Sequence, residues 1–130
     1  MNKLRIQGML SMKRTQMGES WRDRYDGYVY LAHFQNLGLY KIGHTRSMKQ
    51  RLHHFARTYG ERPSILHMIK TNWPFAAEQI LIAGCELEPV IGREAGRLKP
   101  EAVEEIKRML HLEIESPKRN EFAVKTTWSE

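Results

Sequence analysis

Two short apolar runs on either side of a turn decide the fold of this chain. Residues 26–43 read Asp-Gly-Tyr-Val-Tyr-Leu-Ala-His-Phe-Gln-Asn-Leu-Gly-Leu-Tyr-Lys-Ile-Gly. Aromatic and β-branched residues favour strands, and the Asn36-Leu37-Gly38 segment between the runs favours a turn. The stretch therefore predicts a β-hairpin with strands over residues 28–32 and 39–43.

The hairpin's register follows from its apolar side chains. When Leu31 is placed opposite Ile42, one face of the hairpin holds four side chains that a core would cover: Val29, Leu31, Tyr40 and Ile42. The opposite face then holds Tyr28, Tyr30, Lys41 and Gly43. A slip of one residue would turn one strand's apolar set to the wrong side, so we expect this register.

A capping box predicts that the next element is a helix. Ser47 and Gln50 have the Ser-x-x-Gln spacing in which two side chains satisfy free backbone donors at a helix start. We expect this helix to end near Tyr59, with Arg51 on the flank of its apolar stripe. The predicted stripe consists of Met48, Leu52, Phe55, Ala56 and Tyr59.

Further strand and helix signals follow. An apolar and β-branched run predicts a strand over residues 64–70. A helix is predicted from about Pro74 to Cys85, because proline is acceptable in a first helical turn. It is apolar nearly all round, which predicts burial, and Glu78 lies inside it. A last helix is predicted from Pro100 to about Glu113, with an apolar stripe of Val103, Ile106 and Leu110.

Length and charge predict one basic domain. The 130 residues include 21 Lys and Arg against 15 Asp and Glu, giving a net charge of +6 and a pI near 9.6, which favours polyanionic partners. We divide the chain into a basic arm or extension (1–24), a domain (25–115) and a C-terminal tail (116–130). The arm either follows phosphates with basic side chains such as Lys13 and Arg14, or is an ordinary solvated terminus or part of an upstream helix.

The sequence also narrows the compartment and the kinds of site. Cys85 is the only cysteine, which excludes an intrachain disulfide and a Cys-based zinc site within one chain. No stretch approaches the roughly 18 consecutive apolar residues of a membrane span. Residues 1–13 lack the apolar run of a secretory signal. We therefore expect a cytoplasmic protein without a membrane partner.

Three features of the hairpin region resemble a known enzyme superfamily. They are Tyr-Val-Tyr at 28–30, Tyr-Lys-Ile-Gly at 40–43, and Arg51, eight residues beyond Gly43. This combination resembles the GIY-YIG nucleases, whose two tripeptides lie on adjacent strands and whose arginine lies on the following helix. The resemblance covers roughly residues 27–112. It implies an α/β (α+β) sandwich with helices flanking a small three-stranded antiparallel sheet, consistent with the predicted order of elements.

The same resemblance suggests a particular branch. The wording Tyr-Lys-Ile-Gly-His-Thr is most similar to a branch named for a phage T5 open reading frame and often found in phages and mobile elements. In that branch a lysine commonly stands where other members carry the second tripeptide's tyrosine. Here that lysine is Lys41.

The resemblance also implies roles for two charged residues. Arg51 would clamp the phosphate, since a planar, permanently charged guanidinium matches phosphate oxygens; the alternative is a surface arginine that packs beside Phe55. Glu78 would hold Mg²⁺ or Mn²⁺, because a hard cation can bind through one carboxylate plus water and substrate phosphate. The alternative for Glu78 is a glutamate favoured by the helix dipole in the first turn.

Three more residues are candidates for proton transfer or phosphate contact. Lys41 would activate the water if burial and Arg51 favoured its neutral amine; alternatively it binds phosphate as a point charge, or is simply an exposed strand lysine. Tyr30 would hydrogen-bond to the scissile phosphate or to the water. His44 would contact phosphate or carry a proton, or is a plain loop histidine. The expected DNA contacts are His54, Lys49, Arg46, Lys13 and Arg14.

These expectations describe a metal-dependent DNA endonuclease, nicking or cleaving, encoded by a phage or mobile element. Cutting both strands would need a homodimer or two successive nicks. One alternative is a DNA-binding module on the same scaffold with little or no catalysis. The other is a phage protein that inhibits another protein by binding it.

Overall fold

The computed structural model describes residues 25–114 and 124–129, and seven strands and three helices lie within them. In chain order they are β1 (Gly27–Phe34), β2 (Leu39–Thr45), α1 (Met48–Tyr59), β3 (Ser64–Thr71), α2 (Pro74–Gly84), β4 (Glu88–Ile91), β5 (Ala95–Arg97), α3 (Pro100–Lys107), β6 (Met109–Ile114) and β7 (Val124–Trp128). None of the described helices is long and apolar enough to cross a membrane.

All seven strands form one mixed sheet in the order β4-β5-β2-β1-β3-β6-β7. Only β3 and β6 pair in parallel; the other neighbours are antiparallel. The predicted α+β class is confirmed, but the predicted sheet of three strands is wrong. The three predicted strands are the centre of the sheet, and two further strands extend it on each side.

The predicted hairpin register is confirmed. Leu31 pairs with Ile42 across β1 and β2. Val29, Leu31 and Ile42 are buried on the face that packs against α2 and α3, within an apolar cluster that we call the larger core. The opposite face carries a smaller group that we call the aromatic cluster: Tyr30, Ala32, Phe34 and Phe55.

Helix α1 covers the aromatic cluster through one narrow edge. Phe55 is its fully buried residue and meets the rings of Tyr30 and Phe34 edge-on, at centroid distances of 5.9 and 5.6 Å. Ala56 is exposed, so its assignment to the apolar stripe is wrong. The reason is geometric, because adjacent helical residues point about 100° apart and only a narrow strip of α1 faces the sheet.

The start of α1 uses half of the predicted capping box. The backbone N–H of Gln50 donates to Ser47 Oγ at 3.4 Å, as the motif predicts. The backbone N–H of Ser47, however, donates to Thr45 Oγ1 at 3.0 Å rather than to a glutamine side chain. Strand β2 therefore supplies part of the cap, which fixes the angle at which α1 leaves the sheet.

The predicted helix from Pro100 to Glu113 is wrong beyond Lys107. Helix α3 ends there, and β6 follows with Leu110 exposed rather than in an apolar stripe. Strand β6 is held by distant partners, since its main chain pairs with β3 and β7. The side chain of Asn72 also donates to Ile114 O and accepts from Ile114 N–H, at 3.1 and 3.0 Å.

Two further strands lie where no element was predicted. The connection after α2 folds into the β4–β5 hairpin, and β5 pairs with the edge of β2. Within the range 116–130, predicted as a tail, residues Val124–Trp128 form the edge strand β7. The predicted basic arm, residues 1–24, lies outside the described residues.

Candidate active site

The tyrosine of the first tripeptide lies over the glycine of the second. Tyr30 and Gly43 are direct partners across β1 and β2, and Tyr30 is 2% exposed. A Cβ atom on Gly43 would lie 2.2 Å from the Tyr30 hydroxyl oxygen, which no side chain tolerates. Position 43 therefore requires glycine, because the phenol occupies the space that a side chain would fill.

Burial and three nearby charges determine the pKa of the Tyr30 hydroxyl. Burial raises the pKa of this phenol well above its ordinary value. The positive charge of Arg51 opposes that rise, whereas the carboxylates of Glu78 and Glu94 add to it. Two consequences follow. The phenol is a hydrogen-bond donor at neutral pH, and three charged side chains from separate parts of the chain lie close enough to act on it.

Arg51 is available to an anion. Its side chain is half-buried on α1 and makes no ion pair or hydrogen bond with another described residue. It lines a cleft of about 250 Å³, which we call the Arg51 cleft, together with four polar neighbours: Thr45, Ser47, Gln50 and His54. A free guanidinium among hydroxyl, amide and imidazole groups is suited to phosphate oxygens.

Glu78 and His44 form a contact between α2 and the end of β2. His44 Nδ1 lies 3.0 Å from Glu78 Oε1, and Gln79 Nε2 donates to Glu78 Oε2 at 2.9 Å. The Glu78 side chain is 3% exposed and that of His44 is 28% exposed. The His44 ring also stacks on Phe75, with centroids 5.3 Å apart. The dyad therefore lies at the border between interior and solvent.

The described residues around Glu78 offer few ligands for a cation. Within the described part of the chain, no three His, Cys, Asp or Glu side chains converge as a metal cage. Glu78 is nonetheless a nearly buried carboxylate that makes no ion pair with a described lysine or arginine. Such a carboxylate gains from a cation. Because Mg²⁺ can be bound by one carboxylate together with waters and substrate phosphate, Glu78 fits this role.

Lys41 forms an ion pair with Glu94, a residue that was not predicted to lie near the site. The Lys41 side chain is 10% exposed, and Nζ donates to Glu94 Oε2 at 2.6 Å. Glu94 belongs to the turn between β4 and β5, and its carbonyl oxygen accepts from Ile42 N–H at 3.1 Å. Gly92 adopts φ 62°, and this glycine is the local turn signal from which a hairpin could have been predicted. Because β5 of that hairpin pairs with β2, Glu94 lies beside Lys41.

The predicted DNA contacts are spread unevenly. His54 lines the Arg51 cleft, and its Nε2 lies 3.3 Å from Thr58 Oγ1. Lys49 is exposed on α1. The guanidinium of Arg46 is exposed and lies 3.9 Å from the centre of the Tyr25 ring. The remaining two, Lys13 and Arg14, lie outside the described residues.

The predicted catalytic residues lie around the central hairpin but not in mutual contact. Lys41 is nearer the hairpin turn than Tyr30, and His44 with Glu78 lies on the opposite face of the sheet. Tyr30, Arg51 and Glu78 are linked through the charges acting on the phenol. Lys41 contacts Glu94, and His44 contacts Glu78. No protein-family model, no curated protein and no solved structure matches this chain. The resemblance to the GIY-YIG superfamily therefore stays a prediction made from the motif residues alone.

Proposed function

We propose that this protein is a metal-dependent endonuclease that hydrolyses phosphodiester bonds in DNA. The observation that carries the proposal is the convergence at Tyr30. Arg51 is a permanent cation that makes no ion pair with a described acidic residue, and Glu78 is a nearly buried carboxylate; both charges act on one phenol. Phosphodiester hydrolysis needs these groups, because charge that develops on the phosphoryl oxygens must be stabilised while a water attacks.

Arg51 binds the scissile phosphate in this proposal. Its cleft offers polar groups on several sides, so a phosphate there would be oriented as well as neutralised. The net charge of +6 adds a long-range attraction for DNA. Tyr30 donates a hydrogen bond from its protonated phenol to a phosphoryl oxygen or to the water.

Glu78 would hold Mg²⁺ or Mn²⁺ through a carboxylate oxygen. Such a cation, when bound, polarises the phosphate and lowers the pKa of a coordinated water. His44 is the neighbouring side chain with solvent access, so it carries a proton to or from bulk water. Gln79 orients the second oxygen of Glu78 through its 2.9 Å hydrogen bond.

Nicking of supercoiled plasmid in Mg²⁺ or Mn²⁺ tests the proposal. We expect Arg51→Ala and Glu78→Gln to lower the nicking rate by about a hundredfold to a thousandfold. The matched controls are Arg57→Ala, an exposed basic residue on the same helix, and Glu104→Gln, an exposed acid on α3. Both controls should cut at the wild-type rate. Wild-type activity in Glu78→Gln would contradict the proposed metal role.

A second candidate is a DNA-binding module without catalysis. It is favoured by one observation: Lys41 and Glu78 already have partners within the fold. This alternative predicts salt-sensitive retention of DNA by wild type and Glu78→Gln alike, with no nicking by either. Lack of DNA affinity at low salt would instead favour the protein-binding inhibitor.

A further inference from the structure

We infer that Glu94 is a positioning residue for the site: it holds the Lys41 ammonium in place as a phosphate-binding cation. This inference rests on the proposed nuclease function and removes Lys41 from the candidates for activating the water. The β4–β5 turn thereby becomes part of the site, although no motif residue lies on it.

The first step is the burial of Lys41. The residue is 8% exposed on a central strand, and its side chain points to the same face as Tyr30 and the aromatic cluster. An ammonium in such a place is costly unless it donates to an acceptor. The Glu94 carboxylate, 2.6 Å away, is that acceptor, in a charge-assisted hydrogen bond.

The second step concerns the proton. A group that activates water needs a lone pair to accept the proton, whereas Lys41 Nζ donates a hydrogen bond to Glu94 Oε2 at 2.6 Å. Lys41 therefore presents N–H donors rather than a lone pair. N–H donors on the same face of the sheet as the Tyr30 phenol suit phosphoryl oxygens.

The third step concerns how Glu94 is held. Its carbonyl oxygen accepts from Ile42 N–H, and the next residue, Ala95, pairs with Lys41 in the sheet. The turn is thus attached to β2 through the main chain, and a change of the Glu94 side chain leaves it attached. The Glu94 side chain is 42% exposed, so its contact with Lys41 lies at the edge that substrate would approach.

A glutamine at position 94 would keep an oxygen that can accept from the buried Lys41 ammonium. Glu94→Gln thus removes the negative charge without removing the acceptor. If the pair were purely structural, Glu94→Gln would lower stability, and turnover per folded molecule would not change. The positioning role predicts a loss of turnover without a matching loss of stability.

The test uses Glu94→Gln, Lys41→Met and the double variant in the full chain. We expect Glu94→Gln to lower kcat for plasmid nicking by about tenfold to a hundredfold, since a misplaced group costs that much. Its affinity for uncut duplex should stay equal or rise, because a negative charge is removed. The double variant should be no slower than Lys41→Met, and Glu94→Asp should recover part of the rate.

Glu88→Gln is the matched control, because Glu88 makes an exposed ion pair with Arg97 on the same hairpin. It should leave kcat unchanged. Wild-type kcat in Glu94→Gln would overturn the inference, as would a further loss of rate when Glu94→Gln is added to Lys41→Met. In an active protein, either result leaves the nuclease proposal standing.

A second readout does not need activity. In protein labelled with ¹⁵N-lysine, the Lys41 ammonium should give a signal that Lys41→Met removes and Glu94→Gln broadens. A short DNA duplex should shift that signal in the wild type. If the wild type cuts no plasmid, the nuclease proposal fails and this measurement alone decides the inference: a Lys41 signal unaffected by DNA would overturn it.

Discussion

The two faces of the sheet differ in depth and in chemistry. The face under α2 and α3 buries the seventeen side chains of the larger core, all of them apolar. The face under α1 buries the four of the aromatic cluster. Lys41 and Arg51 lie beside that cluster, and the cluster's own Tyr30 supplies a hydroxyl. A thin apolar layer allows charged groups to reach the sheet.

Two buried carboxylates on the side of the larger core depart from this pattern, and one of them is Glu105 on α3, which is fully buried. Glu78 belongs to α2, on the side of the larger core, yet its charge acts on Tyr30. Its carboxylate contacts His44 near the end of β2. The candidate site is therefore built where the two faces meet. The proposed function therefore assigns folding mainly to one face and chemistry to the edge that the two faces share.

The largest expected effects compare Ile80→Ala in the larger core with Phe55→Ala in the aromatic cluster. Both residues are at most 1% exposed. We expect losses of about 2–5 and 3–5 kcal/mol in the free energy of unfolding, measured by chemical denaturation. Only Phe55→Ala should also lower the nicking rate per folded molecule, because Phe55 packs against Tyr30. Equal nicking losses in both variants would break the comparison.

A smaller effect is expected from Gly43→Ala at the shared edge. The new methyl group would lie 2.2 Å from the Tyr30 hydroxyl oxygen, so the ring must move. Overpacking of this kind costs about 1–3 kcal/mol. Tyr30→Phe should recover only part of that stability, since the ring carbon Cζ would remain 2.5 Å away. Thermal unfolding measures both variants. An unchanged Tm in Gly43→Ala would contradict the described packing.

A gradual loss of stability at alkaline pH is expected from both faces. Burial raises the pKa of the Cys85 thiol, in the larger core, to about 12 and also raises that of Tyr30. In the unfolded chain these groups lose their protons from pH 9.0 and 10.0 upward, while the folded chain keeps them. The unfolded state then binds fewer protons, so the free energy of unfolding falls as pH rises. The fall is at most about 1.4 kcal/mol per pH unit for each of the two groups.

Urea unfolding between about pH 8 and 11 measures this dependence. Stability should be fully present below pH 9.0 and decline above it. Cys85→Ala and Tyr30→Phe should each flatten part of the decline. A slope that neither variant changes would assign the loss to other groups.

The central hairpin, α1, β3 and α2 could be predicted because their signals are local. Alternating side chains fixed the pairing of Leu31 with Ile42, and Ser47 marked the start of α1. Strand β6 could not be predicted in this way. Its sequence continues the apolar pattern of α3, and its partners are β3, β7 and the side chain of Asn72, all distant in sequence.

In the candidate site, too, the residues marked by local sequence signals could be predicted and those placed by long-range pairing could not. Tyr30, Lys41 and Arg51 stand out because short motifs single them out. Glu94 is 53 residues from Lys41 and lies in a turn that carries no motif. Its contact depends on a sheet edge that only long-range pairing creates. Ala56 was misassigned for a related reason, since the width of the helix face against the sheet is set by tertiary packing.

The central claim is that one cation site joins the two faces, and Mn²⁺ tests it most directly. In NMR spectra, Mn²⁺ held by Glu78 should broaden the signals of His44, Tyr30 and the Arg51 side chain by paramagnetic relaxation. Glu78→Gln should abolish that broadening at the same Mn²⁺ concentration. Broadening that spares Tyr30 and Arg51, or that persists undiminished in Glu78→Gln, would contradict a shared site.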